Sequence, residues 1–285
     1  MHSSSLKGQV DGVYFTDGNP QSIAVPVADL LVAPNGKRER QLLLGARVTV
    51  FEYHADHAFV QAADGYAGYV PVGAIGPLQS PDFQVATLAT HAYETESFKS
   101  PERVALPFGA RVKVVDERPK MFETDQGFVP KKHLRPLDKP FADPATVAQM
   151  HFNAPYLWGG NSTRGIDCSG LISASLAACD IACPGDSDLQ CDQTGRAFAG
   201  ALQRGDLMFW KGTYNTGDRW PDVSHVMVYM GRDPRTGKYW MFGGRGRSKR
   251  GVNGGGVDFH SFSPRDSEGR NSSFIGYGSV PGMRG

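Results

Sequence analysis

The chain has 285 residues and a formal charge of +1. That is long enough for two or three domains and too balanced to set up a field for nucleic acid or an anionic membrane. Apolar residues make up 40% and charged residues 21%, as in soluble globular proteins, and the 35 glycines and 19 prolines point to many turns and short strands. No segment reaches the ~18 consecutive apolar residues of a membrane span, and the opening "MHSSSLKGQVDGVYFTDG" has no basic region followed by an apolar run, so cytoplasmic residence is the expectation.

The first elements come as an internal repeat. "LLLGARVTVFEYHADHAFVQAADGYAGYVP", Leu42 to Pro71, and "LPFGARVKVVDERPKMFETDQGFVP", Leu106 to Pro130, share G-A-R-V, an alternating strand, a polar turn and a closing G-[YF]-V-P. Period-two alternation puts Val48 with Val50, and Val112 with Val114, on one face of each strand. Each unit reads as a small half-closed barrel and resembles bacterial SH3-like domains, which carry such an ending on their last strands. The predicted organisation is an N-terminal arm and first SH3-like domain over 1–80, a second over 81–138, and a third domain over 139–285.

Pro136, Pro140 and Pro144 make a stiff linker, and Asp143 before Pro144 is a helix N-cap followed by proline at the first helical position. A second short helix is expected near Leu171 to Ala182. Five strands follow, in "GDLMFWKG", "SHVMVYMG", "KYWMFGG", "GVDFHSF" and "FIGYG". Helices first and an antiparallel sheet after them make an α+β domain.

All four cysteines, Cys168, Cys179, Cys183 and Cys191, lie close together without the C-x-x-C pair usual in zinc sites, so neither a metal nor a disulfide is expected. Cys179 and Cys183 sit among Ala, Leu and Ile and read as small buried hydrophobes. Cys168 is different. In "YLWGGNSTRGIDCSGLISASLAAC" it follows a glycine-rich loop, with Asp167 as a plausible N-cap and Leu171, Ile172 and Leu176 forming one apolar stripe. Unpaired N–H groups and the positive end of the helix dipole favour a thiolate in that first turn, below the free value of ~8.5. Ser169 and Gly170 leave the sulfur side open. A nucleophilic thiol needs an imidazole within reach. Of eight histidines, His225 stands at the head of the apolar strand "SHVMVYMG"; alone it would read as a strand-end histidine satisfied by water.

Tyr156, the "WGG" of Trp158 to Gly160, Asp167-Cys168-Ser169-Gly170, "GDLMFW" and "HVMVYMG" together resemble the NlpC-type cysteine peptidases of bacterial cell walls, over residues 142 to 281. The resemblance implies a papain-like C-terminal domain preceded by two small SH3-like β-barrels. It also implies hydrolysis of the γ-D-glutamyl bond to a diamino acid in peptidoglycan stem peptides, with no cofactor. Paired N-terminal SH3-like domains recur in the subset that trims free stem peptides. Cys168 would then be the nucleophile, His225 the general base, and Tyr156 with the Cys168 N–H the oxyanion donors. Asp167, Ser169, Trp158 and Ser187 would line the pocket for the N-terminal L-Ala amine. Tyr66 in "DGYAGYVP" matches a tyrosine that closes this pocket, and Glu39 in "KRERQ" is a candidate second carboxylate.

One position departs from the family pattern. A third polar residue normally orients the catalytic histidine from the next strand, but here that place falls near Phe242 or Gly243, which offer no side-chain acceptor. A backbone carbonyl or His260 in "DFHSF" are the candidates. "GGRGRSKRGVNGGG" carries Arg245, Arg247, Lys249 and Arg250, either as a solvated flexible loop or as a positive rim for substrate carboxylates. The expected activity is a cytoplasmic peptidase acting on free L-Ala-γ-D-Glu-diamino acid peptides in wall recycling, with no nucleic acid, membrane or protein partner. The alternatives are a catalytically impaired wall-peptide binding module and an exported wall hydrolase.

Overall fold

The computed structural model describes residues 2–3, 14–194, 201–211, 223–246, 255–263 and 274–280. The chain divides into two units, Met1–Lys139 and Pro140–Gly285.

The first unit is built of strands. A short parallel pair, β1 (His2–Ser3) and β2 (Phe15–Thr16), precedes a sheet of β3 (Asn19–Ile23), β4 (Val27–Leu31), β5 (Arg38–Leu43), β6 (Arg47–His54), β7 (His57–Ala62), β8 (Ala67–Pro71) and β9 (Ile75–Gly76), in the order β5-β4-β8-β7-β6-β3-β9. Val48 and Val50 face inward, packed with Ile23, Leu30, Val60 and Val70. The second SH3-like unit comprises β10 (Phe83–Val85), β11 (Ala89–Tyr93), β12 (Glu102–Pro107), β13 (Arg111–Val112), β14 (Val114–Glu117), β15 (Met121–Thr124), β16 (Gly127–Pro130) and β17 (Leu134–Pro136). It splits into two sheets, β12-β11-β16-β15-β14 and β13-β10-β17. Among the described residues neither repeat closes its ladder into a ring. Val112 is fully buried, but Val114 is only half-buried. The strand breaks at Lys113, where the carboxylates of Asp125 and Asp82 accept the N–H groups of Lys113 and Val114 in place of a ladder bond.

The repeat seen in the letters is a repeat of backbone bonds. Ile23 donates to the Ala46 carbonyl, accepts from Gly45, and is followed by Ala24 donating to Ala74. Val85 makes the same three connections through Ala110, Gly109, and Ala86 to His133. The glycine of each G-[YF]-V-P ending is dictated by close approach. A Cβ on Gly68 would stand 2.6 Å from the Leu31 carbonyl oxygen and one on Gly127 2.6 Å from that of Tyr93, contacts no larger residue can make without moving backbone.

The second unit places three helices before a five-stranded antiparallel sheet. In α1 (Pro144–Gln149) the Asp143 carboxylate accepts from Ala145 N at 2.9 Å, with Pro144 leading the helix. A tight hairpin, β18 (Asn161–Ser162) and β19 (Gly165–Ile166), leads into α2 (Cys168–Ala177). That helix ends before the predicted Ala182 because Asp180 turns left-handed at φ 58° and Ile181 N closes back on the Leu176 carbonyl at 3.0 Å, a Schellman-type stop. The helix α3 (Ser187–Thr194) was not expected.

The sheet runs β23-β22-β21-β20-β24, from β20 (Leu207–Trp210), β21 (His225–Arg232), β22 (Tyr239–Arg245), β23 (Gly256–Phe262) and β24 (Phe274–Gly278), the five strands read from the sequence. Both faces of β20, β21 and β22 carry buried residues, which is why these strands read as apolar runs, whereas the edge strand β23 buries only Val257. Leu207, Phe209, Val226, Val228 and Phe242 pack on Leu171, Ile172 and Leu176 of α2. Met208, Trp210, Met227, Tyr229 and Met241 form a separate cluster on the opposite face.

Candidate active site

Asp167 organises the entry to α2. Its backbone is extended, and its carboxylate accepts from Gly170 N at 2.6 Å and from Gly159 N at 2.8 Å, with the Ser169 hydroxyl donating at 3.3 Å. One side chain thus caps the helix and ties the glycine loop to it. Burial raises the Asp167 pKa while these hydrogen bonds oppose the rise. Cys168 is the first residue of α2 and is buried, its sulfur facing the backbone N–H of Val226, the neighbour of His225. The fold therefore brings the thiol to the head of the strand that carries the imidazole.

The electrostatics correct one expectation. Burial, and then the Asp167 charge, push the Cys168 thiol up to about 12 rather than below its free value. Desolvation and an adjacent carboxylate outweigh the helix terminus. Burial first, then the charges of Arg245 and His260, push His225 down to about 3. The resting pair is a neutral thiol and a neutral imidazole. No hydrogen bond joins the two side chains. The His225 ring packs against Trp210 with centroids 5.7 Å apart, and its Nε2 is buried without a hydrogen-bond partner.

Among the described residues no third side chain hydrogen-bonds that ring. Phe242 is fully buried on the α2 side, and Met227 fills the space a side chain on Gly243 would enter. His260 interacts with the Gly243 backbone, and its own Nε2 is also buried without a partner. Neither it nor a backbone carbonyl hydrogen-bonds the His225 Nε2.

Tyr156 bridges to Ile166, and its ring lies against the β22 end, where Cβ positions on Gly244 and Gly246 would stand 3.5 and 3.1 Å from it. The same Gly244 position lies 3.5 Å from the Asp167 backbone, so Tyr156 flanks the nucleophile loop. Ser169 and Ser187 are both buried, Ser187 as the first residue of α3. Their helices are clamped by Gln190, whose Nε2 donates to the Ser169 carbonyl at 3.0 Å and to that of Pro184 at 2.9 Å. Gln190 was not singled out in the sequence; its only signal is its place at one helical turn after Ser187. The charge of Asp186 also reaches Asp167. Trp158 is 61% exposed, beside the Gly159 N–H that Asp167 holds. Tyr66 and Glu39 belong to the other unit. Tyr66 packs on the first SH3-like core under the guanidinium of Arg40, 4.5 Å from the ring centroid, and Glu39 is exposed on β5. All four cysteines are free thiols. Arg247, Lys249 and Arg250 lie outside the described residues, and Arg245 is the one member of the basic loop that is described with a side-chain contact.

The sequence profile of the NlpC/P60 family matches residues 153–253, the stretch that holds Tyr156, Asp167, Cys168 and His225, and that of the bacterial dipeptidyl-peptidase SH3 domain matches residues 30–75. The C-terminal unit belongs to the NlpC/P60 family. In chain order this NlpC/P60 match follows the SH3-like sheets. It is 36% identical over 84 residues to the probable endopeptidase p60 of Listeria welshimeri, a match covering 30% of this chain and 15% of that protein. It is 25% identical over 221 residues to the gamma-D-glutamyl-L-lysine dipeptidyl-peptidase of Bacillus cereus, covering 68% of this chain and 65% of the relative. The crystal structure of an NlpC/P60 family protein from Bacillus cereus shares the fold, with a TM-score of 0.72 at 21% identity, over 92% of this chain and 99% of the other.

Proposed function

We propose that the protein is a cysteine peptidase that cleaves the γ-D-glutamyl bond to the diamino acid of free stem peptides with an unblocked N-terminal L-Ala, in the cytoplasmic recycling of wall peptides. The observation that carries this reading is the position of Cys168, capped into the first turn of α2 by Asp167 and set against Val226 at the head of the strand bearing His225. The gamma-D-glutamyl-L-lysine dipeptidyl-peptidase is similar over both units and supports the substrate class.

In this mechanism His225 takes the thiol proton as the sulfur attacks the γ-carbonyl. The oxyanion is met by the Cys168 N–H and the Tyr156 hydroxyl, and His225 returns the proton to the leaving amine. Asp167, with Ser169, Ser187 and Trp158 around it, receives the L-Ala ammonium.

The test is incubation with L-Ala-γ-D-Glu-diaminopimelate, its L-lysine counterpart and intact sacculi. Release of L-Ala-γ-D-Glu from the free peptides, with sacculi untouched, is expected. Cys168→Ala should abolish that release and Cys179→Ala should leave it largely unchanged. Cleavage of sacculi in preference to free peptides would reassign the protein to wall hydrolysis, and binding without cleavage would make it a recognition module.

A further inference from the structure

We infer that Arg245 is a receptor for a carboxylate of the peptide being cleaved, seated beside the imidazole of His225. This inference rests on the peptidase reading above.

The ladder of β21 and β22 pairs Val228 with Phe242. Beyond that last pair, a Cβ on Gly243 would stand 2.8 Å from Met227 and Arg245 Nη2 approaches the Met227 sulfur at 3.9 Å, which puts Arg245 on the Met227 face, the face to which His225, two residues before Met227, also alternates. Gly244 turns the other way, toward the Asp167 backbone and Tyr156. The end of β22 therefore wraps the nucleophile loop with one residue and faces His225 with the next.

Among the described residues Arg245 has no counter-charge. It is half-buried, its Nε is enclosed without a hydrogen-bond partner, and its one side-chain contact is a long approach of Nη2 to the Met227 sulfur at 3.9 Å. Burial alone moves its pKa, downward, with no carboxylate opposing. Among the described residues, the charged or titratable groups near it are His225 on β21 and His260 on β23, each with an enclosed Nε2 without a partner, and the exposed Asp258 on β23, whose charge acts on His260. Asp258 accepts from the Phe259 N–H at 2.6 Å and leaves the three enclosed nitrogens of Arg245, His225 and His260 unsatisfied, an arrangement that costs stability until a further anion arrives. A methionine or leucine would pack beside Met227 without that cost. The planar fork of a guanidinium is matched by a carboxylate, and its partial exposure leaves a way in.

The proposed substrate supplies two carboxylates near the scissile bond. A γ-linked D-Glu keeps its α-carboxylate free, and a C-terminal diamino acid keeps its own. Either one, bound at Arg245, would offset the positive charge that adds to burial in holding His225 neutral, so the imidazole would accept the thiol proton more readily once substrate is seated.

The experiment compares kcat/KM of the full chain on three peptides: L-Ala-γ-D-Glu-L-Lys, the same peptide with D-isoglutamine in place of D-Glu, and the same peptide with a C-terminal lysine amide. The unaltered protein is expected to lose roughly 10- to 100-fold on one of the two amides, and which amide it is identifies the carboxylate. Arg245→Met should lose a similar factor on the acid peptide, so that its acid-to-amide ratio falls toward one, while Arg245→Lys keeps part of the preference. Equal rates of the unaltered protein on all three peptides overturn the assignment, as does an Arg245→Met protein that keeps the original ratio. Calorimetric binding of the same three peptides to Cys168→Ala reads the preference without turnover and without altering Arg245. Tighter binding of the acid there upholds the assignment even if no peptide is cleaved, in which case the peptidase reading fails alone; equal binding overturns it.

Discussion

At the scale of residues, the site holds its proton differently from a thiolate–imidazolium pair. Cys168 stays protonated, pushed up to about 12, and His225 stays neutral, pushed down to about 3, so the proton moves only when the sulfur attacks. Two consequences are measurable. Because kcat/KM reports the free enzyme, its acid limb should lie well below the 6.5 of an ordinary histidine. A limb at 6.5 would show that His225 is solvated before substrate binds. The second consequence is for stability. His225, His260 and the buried His151 all have folded pKa values below 6.5, with burial the leading cause. A group lowered on folding binds more protons in the unfolded chain, so stability is fully present above 6.5 and falls as the pH drops below it. Thermal melts should therefore show a midpoint that declines steadily from pH 7 toward pH 4. His151→Phe should flatten part of that decline; an unchanged slope would mean that the buried imidazoles are already solvated in the folded state.

At the scale of elements, Asp167 is the residue on which both loop and helix depend, through the Gly159 and Gly170 bonds. Asp167→Ala should cost about 1–2 kcal/mol as a lost cap, and Asp167→Asn, which keeps an acceptor oxygen, clearly less. Equal loss of stability in the two variants by denaturant titration would show that the charge, not the cap, holds the turn. The elements legible in the sequence were those whose apolar pattern declares their burial. The central strands β20 and β21 are nearly unbroken apolar runs, while β23 alternates with Asp258 and His260, and the SH3-like repeats announce themselves twice. Helix α3 was not legible because "SDLQCDQT" turns Gln190 and Cys191 inward, both buried, where an amphipathic pattern would show leucine or isoleucine. The placement of Cys168 and His225 was readable from local chemistry. Their proton affinities were not, because burial and the approach of Arg245 and His260 arise from strand pairing that no local stretch encodes.

At the scale of the whole molecule, a formal charge of +1 conceals a separation of sign within Pro140–Gly285. Asp167 has a further acid within reach: the charge of Asp186 acts on it, and Asp186 also acts on Asp188. Arg245 and His260 act on His225. The nucleophile is thus bracketed by a carboxylate environment on the loop side and a cationic one on the sheet side. A free stem peptide has matching polarity, with an ammonium at L-Ala and carboxylates at D-Glu and the diamino acid. Electrostatic complementarity of this kind selects partners more than it adds raw affinity, because a mismatched charge leaves its counterpart unpaired. Acetylating the L-Ala amine removes the charge that Asp167 would meet and replaces it with bulk, leaving a half-buried carboxylate without its cation. The loss expected for one unpaired, partly desolvated charge is roughly 2–5 kcal/mol, a fall in kcat/KM of about 30-fold or more. The acetylated and free tripeptides, compared at low and high salt, should differ by that margin at both, since enclosed pairs are screened far less than surface ones. A discrimination that vanished in high salt would place the amine at the solvent-exposed rim, near Trp158, instead of against Asp167.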